Sequence, residues 1–218
     1  GDVGRYRDVI LKSPAEFSQA DYILIESTYG NSLHDNASTT PDQVLQWIEK
    51  ACLQKKGKLI IPAFSVGRTQ ELLYFLNQLS NEKTLTNVPV YVDSPLSSEA
   101  TAVVKSHPEN FNSRIQKLLR TDKDPFDFPQ LHFIKTVDES KSLNDRDEPC
   151  IIISASGMAD AGRIKHHIMN NIGNVQTTIL KVGYCVPNSL GSRLMDGQKE
   201  GRSFGEGVQV IGKRGDWH

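Results

Sequence analysis

Several features that mark large classes of protein are missing from this chain. It has three cysteines in 218 residues, Cys52, Cys150 and Cys185, which lie far apart and form no Cys-x-x-Cys pair. That pattern argues against a disulfide scaffold and indicates buried, reduced thiols, so we expect a cytoplasmic protein. No apolar run approaches the roughly 20 residues that span a bilayer, and the opening segment is mixed and charged. We therefore expect neither a membrane span nor a signal peptide.

A surplus of charge of either sign is also missing. The chain carries 25 Lys and Arg against 26 Asp and Glu, a net charge of -1 at pH 7. It therefore lacks an overall basic field for nucleic acid, and any polyanion has to be bound by a local patch. The six histidines show neither His-x-His nor His-Glu-x-x-His spacing. A zinc site built from this chain alone is therefore not expected.

What the chain does have is an alternation of short apolar runs and helical patterns. The predicted strands cover residues 22–26, 58–62, 90–93, 131–135, 150–154 and 177–182. The predicted helices cover residues 41–54, 70–79, 97–105, 111–119 and 163–170. The runs are rich in Ile, Val and Leu without alternation, which is typical of buried parallel strands. The pattern predicts an α/β fold with a mostly parallel, doubly wound sheet and helices on both faces.

The remaining segments are interpreted as connections. Residues 121–130 and 138–149 are polar and predict surface loops or short helices. After Gly183 the chain is rich in glycine, which predicts turns and short antiparallel strands, with residues 212–218 as a loose tail. None of these segments carries a repeat or a low-complexity tract.

A carboxylate stands directly after one of the apolar runs. Glu26 follows Ile23-Leu24-Ile25, at the predicted carboxyl end of a strand. In open α/β sheets ligands bind in the crevice at these ends, so Glu26 is a candidate catalytic residue. A carboxylate placed there needs a hydrogen bond, a cation or a metal-bound water. A helix cap or a salt bridge to an arginine is the alternative interpretation.

Two junctions between a strand and a helix have a similar design, with small residues, backbone N–H groups and an arginine in the first helical turn. Their candidate anion-binding residues are Ser65, Gly67 and Arg68 at the first junction, and Ser156, Gly157, Gly162 and Arg163 at the second. Such a combination can hold a phosphate. Neither junction is a P-loop or a Gly-x-Gly-x-x-Gly motif. Alternatively, the glycines permit close packing and each arginine pairs with an acid, for instance Arg68 with Glu71.

Two further candidates have weaker signals. His166 and His167 are neighbours on a predicted helix and point about 100° apart, so they cannot easily bind one metal ion. We expect one of them to face the core or the crevice and the other to face solvent. Asp2 lies in the opening segment, where a lone aspartate is normally solvated.

Taken together, these motifs resemble the β-CASP branch of the metallo-β-lactamase-fold RNA nucleases, of the prokaryotic type. The branch includes the RNase J enzymes and the endonuclease subunit of the cleavage and polyadenylation machinery. The segment around Asp2 resembles the family's Ser-Gly-Asp motif, and Glu26-Ser27-Thr28-Tyr29-Gly30 its Glu-Ser-Thr-Tyr-Gly motif. The segments at residues 61–73, 93–96 and 154–167 are similar to its strand–helix junctions, in the same order.

The resemblance implies a mechanism and assigns roles to residues. Two zinc ions in the intact parent protein would activate a water against an RNA phosphodiester bond, with Asp2 as a bridging metal ligand. Glu26 would orient a histidine beside the metal ligands or assist proton transfer. The β-CASP domain would clamp the RNA. From chemistry alone, we assign its phosphate contacts to the residues of the two junctions and to His166.

The resemblance also implies a division of the chain. Residues 1–30 would end the first metallo-β-lactamase half, residues 31–200 would form the β-CASP domain, and residues 201–218 would return toward the lactamase domain. The family's histidine motifs are missing here, so we expect a fragment without bound zinc and without activity of its own, whose partners are RNA, the missing lactamase domain and, in a homodimer, a second copy. The alternatives are a non-catalytic RNA-binding or regulatory module and a mononucleotide-binding α/β domain.

Overall fold

The computed structural model describes residues 4–16, 18–28, 30, 41–85, 87–195, 200–203 and 206–209. Its helices are α1 Pro41–Ile48, α2 Arg68–Asn81, α3 Pro95–Ser106, α4 Ser113–Leu118, α5 Val137–Ser142, α6 Ile164–Asn171 and α7 Leu190–Met195. A π-helical segment, Glu49–Gln54, continues α1, and a 3-10 turn, Pro108–Asn110, follows α3. The strands are β1 Lys58–Pro62, β2 Val90–Val92, β3 Leu131–Phe133, β4 Cys150–Ser154, β5 Thr178–Ile179, β6 Glu200–Ser203 and β7 Glu206–Gln209.

Five of the strands form one parallel sheet in the order β3-β2-β4-β1-β5. The central strands β1 and β4 pair along their whole length, with Ile60 opposite Ile152. Every residue of both strands is buried, as the unbroken apolar runs predict for strands covered on both faces. The predicted α/β fold with a parallel sheet is confirmed.

The two faces of the sheet carry separate cores. Leu59 and Ile61 of β1 point to one face, where they join the main core with α1, α2 and α4. Ile60 points to the other face and packs with α6, while Ile152 of β4 packs with the residues around α5. Helix α2, which follows β1, thus lies on one face of the sheet, and α6, which follows the neighbouring strand β4, lies on the other. In open α/β sheets ligands bind at the carboxyl ends of strands arranged in this way.

One predicted strand is absent. Residues 22–26 belong to no helix or strand, and Tyr22 and Leu24 are 90% and 83% exposed. The prediction of a strand there is wrong for this structure, because a strand needs a neighbour to take up its backbone hydrogen bonds. Within the described residues no strand lies beside this segment.

One helix was not predicted. Residues 190–195 form α7, although the glycine-rich sequence predicted turns there. Leu190 and Leu194 lie one turn apart and are both buried, and Gly191 lies tightly against Met158 and Cys185, where no side chain would fit. The antiparallel pair β6 and β7 confirms the short antiparallel strands expected in the same region.

The cysteines are in the buried, reduced state that their spacing predicts. Cys52, Cys150 and Cys185 are buried and form no disulfide. Burial raises the pKa of the Cys52 thiol to about 12 and that of Cys150 to about 11, which keeps both thiols protonated. In the part of the chain that the structure describes, no helix has the length and apolar character needed to cross a bilayer.

Candidate functional site

The loops after β1, β2 and β4 meet at the carboxyl edge of the sheet. The Ser65 and Ser94 hydroxyl oxygens lie 3.3 Å apart, and the Ser154 hydroxyl donates to the carbonyl of Asp93 at 2.7 Å. The Ala63 N–H donates to the Ser154 carbonyl at 3.0 Å. These bonds bring the two predicted junctions into one site, which we call the carboxyl edge.

The first junction is held by the side chain of Gln70. Its amide oxygen accepts from the N–H of Gly67 at 2.7 Å, and its amide nitrogen donates to the carbonyl of Ser65 at 3.1 Å. Gly67 has a φ of 84°, a conformation that residues with a Cβ rarely adopt. The Gly67 N–H is thus directed at Gln70, whereas the Ser65 hydroxyl lies at the half-buried surface.

Arg68 forms an ion pair with Glu71 in the first turn of α2, and Arg5 lies 3.7 Å from the other oxygen of that carboxylate. This is the pairing that the alternative interpretation of Arg68 anticipated. Burial raises the pKa of Glu71, while the two guanidinium groups oppose that rise. The contact of Arg68 with a phosphate stays a prediction.

The second junction is held by hydrogen bonds between its own backbone groups. The N–H of Ser156 donates to the carbonyl of Ala161 at 3.0 Å, and the N–H of Ile164 donates to the carbonyl of Ala155 at 3.3 Å. Gly162 has a φ of 78°, and a Cβ there would lie 2.3 Å from the Ala155 carbonyl oxygen. Only glycine fits this position, which agrees with the alternative interpretation that the glycines of the junctions permit close packing. The Ser156 hydroxyl has no hydrogen-bond partner among the described residues.

Asp93, at the end of β2, is the centre of a buried ionic cluster. Its carboxylate accepts from Arg163 Nη1 at 2.6 Å, from His167 Nε2 at 2.6 Å and from the Ser140 hydroxyl. Its side chain is 0% exposed. Burial alone would raise the pKa of Asp93, but the hydrogen bonds from His167, Ser140 and Arg163 prevail and lower it. Asp93 is therefore an ionised carboxylate.

A chain of hydrogen bonds fixes the orientation of the His167 ring. The Lys58 amine donates to Asn171 Oδ1 at 3.1 Å. Asn171 Nδ2 in turn donates to Asn144 Oδ1 at 3.0 Å, and that oxygen lies 2.9 Å from His167 Nδ1. Both ring nitrogens of His167 thus lie within hydrogen-bond distance of an oxygen atom, so the ring is held at both ends.

The cluster fixes the position of Arg163. Its Nη1 reaches Asp93 and its Nη2 donates to the carbonyl of Lys135 at 3.2 Å, so both ends of the guanidinium fork bind the protein. Arg163 thereby ties α6 to β2 and to the segment after β3. The phosphate contact predicted for Arg163 is untested by this geometry, and its side chain is 21% exposed.

One histidine of the pair is buried and the other is exposed, as expected. Sequence reasoning named His166, and not His167, as a candidate site residue. His167 is buried at Asp93, whereas His166 is exposed on α6. Sequence reasoning also passed over Asp93 itself, although it stands directly after an apolar strand, as Glu26 does. That shared signal could have found it. Ser140 and Asn144 carry no comparable signal, because they lie far from Asp93 in the sequence.

The carboxylate of Glu26 is hydrogen-bonded to a residue two positions away in the sequence. Its carboxylate is fully exposed and accepts from the N–H of Thr28 at 2.7 Å. The hydrogen bonds from Thr28 lower the pKa of Glu26. The catalytic role of Glu26 stays a prediction, and Asp2, the predicted metal ligand, lies outside the described residues.

The donor groups at the carboxyl edge do not fit a zinc ion. Among the described residues no group of three His, Cys, Asp or Glu side chains is arranged to hold a metal. Asp93 and His167 are adjacent, but their facing atoms are bound to each other and Arg163 occupies the second carboxylate oxygen. A metal cation at that place would also be repelled by the guanidinium of Arg163.

Comparison with known proteins gives consistent results. A model of the Beta-Casp domain matches residues 69–194. The chain is 31% identical over 210 residues to Ribonuclease TTHA0252 of Thermus thermophilus, a match that covers 96% of this chain and 48% of that protein. It is 32% identical to an RNase J-like protein of Methanocaldococcus jannaschii, covering 94% and 47%. It is 28% identical to Transcription termination factor FttA of Methanosarcina mazei, covering 97% and 32%.

The chain thus spans about half the length of the first two relatives. The matched region contains Asp93, Arg163 and His167, and it begins one residue after Arg68. It covers more than half of this chain, and the parallel sheet agrees with it. The predicted resemblance is confirmed: the chain belongs to the β-CASP family of metallo-β-lactamase-fold nucleases.

Proposed function

We propose that this chain is the RNA-clamping part of a ribonuclease that cleaves phosphodiester bonds. Two relatives are named as a ribonuclease and an RNase J-like protein, which supports RNA as the substrate. Since the chain spans about half of each, the proposal concerns the whole protein that contains it. Residues 31–200 act as the clamp, and residues 1–30 and 201–218 connect it to the hydrolase domain.

The observation that carries the proposal is that the two junctions, each with an arginine, meet at one carboxyl edge. The side chains of Arg68 and Arg163 are 19% and 21% exposed there, and the Ser65 hydroxyl is half-buried. Guanidinium and hydroxyl donors of this kind bind phosphate oxygens. In a chain whose net charge is -1, such a local patch is what can attract the phosphate backbone of RNA.

The residues at the edge divide the work of binding. Arg163 and His167 bind Asp93 and so hold the loop after β4, while the hydroxyls of Ser65 and Ser156 can donate to phosphate oxygens. Arg68 adds a guanidinium with five N–H donors, of which Glu71 takes only a part. A strand of RNA fixed in this way is oriented for cleavage, which is the contribution a clamp makes.

Zinc dependence of the whole protein is part of the proposal. Asp2 is the candidate ligand within this chain, and the other ligands would come from the remaining part of a longer protein. We accordingly expect the chain alone to bind RNA and not to cleave it.

The test uses the full-length protein that contains this chain and a labelled single-stranded RNA. We expect cleavage by the wild type, and for Arg68→Ala a KM raised about tenfold, the size of one charged hydrogen bond, with kcat little changed. Arg120→Ala is the matched control, because Arg120 is exposed in the connection toward the amino end of β3. A wild-type protein that neither binds nor cleaves RNA would contradict the proposal.

A second candidate rests on the likeness to Transcription termination factor FttA. In that case the parent protein acts on RNA during termination, and the chain is an RNA-binding module. Binding of RNA by the full-length protein with no cleavage, under conditions in which a ribonuclease control is active, would favour this candidate over the nuclease.

A further inference from the structure

Phe64 is a large apolar side chain that remains exposed at the carboxyl edge. It follows β1 directly, and it is 40% exposed although it stands between the fully buried strand and the buried helix α2. Phe64 belongs to none of the polar contacts described above. An aromatic ring at the mouth of a predicted RNA clamp needs a separate explanation.

One face of the ring rests on a glycine. A Cβ added to Gly157 would lie 2.7, 2.8 and 3.1 Å from three carbons of the Phe64 ring. Three ring atoms at such similar distances place Gly157 under the face of the ring and not at its edge. Phe64 is 40% exposed as a residue, so a considerable part of it is open to solvent. We take the face of the ring opposite to Gly157 as the surface that a ligand can cover.

The ring is also held in place through its backbone. The carbonyl of Phe64 accepts from the hydroxyl of Thr69 at 2.8 Å and from the N–H of Thr69 at 3.4 Å. Thr69 is buried in the first turn of α2. A ring fixed at its backbone and on one face loses little freedom when a ligand covers the other face.

The surroundings of the ring combine apolar and polar groups. Val66 is 66% exposed in the loop after β1 and Leu96 is 59% exposed in the first turn of α3, while the Ser65 and Ser94 hydroxyls lie 3.3 Å apart. Proteins that bind single-stranded nucleic acid stack bases on aromatic rings and contact the backbone with cationic side chains, and Arg68 at the start of α2 is a cation close to Phe64 in the sequence.

We propose that Phe64 is a stacking platform for an unpaired base of single-stranded RNA, with Gly157 as the support beneath the ring. The inference rests on the proposed function and deepens it, since it names unpaired RNA as the ligand. A π-face is common to all four bases, so the contact is tolerant of sequence. A base inside a duplex cannot reach the ring.

The test measures the affinity of the full-length protein, under non-cleaving conditions, for a single-stranded oligonucleotide and for a blunt duplex RNA. For Phe64→Ala we expect affinity for the single strand to fall about 5- to 150-fold, the range of base–aromatic stacking, with duplex affinity unchanged. Phe64→Trp should keep the affinity. Leu53→Ala is the control, since Leu53 is 42% exposed at the amino side of β1.

A second variant acts through the support. In Gly157→Ala the new Cβ would displace the ring, so we expect a loss of single-strand affinity in the same direction as Phe64→Ala. Thermal unfolding of each variant shows whether it is folded.

The inference is overturned if the wild type binds single-stranded RNA and folded Phe64→Ala binds it equally well. It is also overturned if Phe64→Ala and Gly157→Ala lower the affinity for duplex RNA as much as they lower the affinity for single-stranded RNA. A wild type that binds no RNA contradicts the proposed function instead, so the two failures are distinguishable.

Discussion

At the scale of residues, the buried carboxylate of Asp93 couples the site to stability. Its folded pKa is lowered by the hydrogen bonds it accepts, against an unfolded value of about 3.9. The stability it contributes is therefore fully present above the unfolded pKa, and it is lost as the pH falls through the folded pKa. Acid should loosen the link between β2 and α6 while leaving the apolar cores intact.

We predict that Asp93→Asn lowers the free energy of unfolding by about 3 to 5 kcal/mol at pH 6, because the partly buried Arg163 loses its carboxylate partner. The difference from the wild type should be smaller at pH 3, which is below the unfolded pKa of Asp93, because protonation of Asp93 then favours the unfolded state of the wild type. Urea unfolding at the two pH values measures both quantities.

Asp127→Asn is the control for Asp93, since Asp127 is exposed and should change the unfolding free energy by less than about 0.5 kcal/mol. If the deficit of Asp93→Asn were equal at pH 6 and pH 3, the lowered pKa of Asp93 would not contribute to stability.

The same residue shows where sequence reasoning stopped. The carboxylate after a strand was noticed at Glu26, which the structure leaves exposed, and not at Asp93, which it buries. The two look alike in sequence because the difference lies in what surrounds them. His167 and Ser140 reach Asp93 only after α5 and α6 have packed on the sheet, and no spacing in the sequence encodes that contact.

At the scale of elements, the central strands were predictable and the loops were not. Residues 58–62 and 150–154 were predicted to the residue, since an unbroken apolar run can be buried on both faces only in a central strand. The loop of residues 155–163 depends on a positive φ and on bonds to its own backbone. The glycines were noticed, but their geometry could not be derived from the sequence.

Substitutions at three glycines can distinguish the effect of steric crowding on stability from the effect of backbone conformation. We predict that Gly162→Ala destabilises the protein most, by more than about 2 kcal/mol, because it combines a positive φ with a Cβ 2.3 Å from a carbonyl oxygen. Gly67→Ala has a positive φ and open space, so we expect about 1 kcal/mol.

Gly173→Ala is the matched control, with open space and no positive φ, and it should leave stability unchanged or slightly increased. Thermal or urea unfolding of the three variants gives the ranking. Equal losses for Gly162→Ala and Gly67→Ala would show that the loop after β4 moves aside to admit a side chain.

At the scale of the whole chain, the net charge of -1 means that the proposed attraction to RNA has to be local. We predict a shallow salt dependence for single-stranded RNA, with a slope of log affinity against log salt of about -0.7 for each phosphate neutralised. Arg68→Ala should reduce the steepness by about 0.7, and Arg120→Ala should not change it. Binding titrations from about 50 to 200 mM salt measure the slopes. A slope that Arg68→Ala leaves unchanged would remove Arg68 from the clamp.

The order of the sheet has a consequence for how copies of the protein meet. The outermost strands are short, with three residues in β3 and two in β5. An edge strand presents unpaired N–H and C=O groups that can template another chain, and a short edge presents few of them. Joining two sheets edge to edge would therefore gain few hydrogen bonds. Within the described part of the chain, the five-stranded sheet thus resists this route to aggregation.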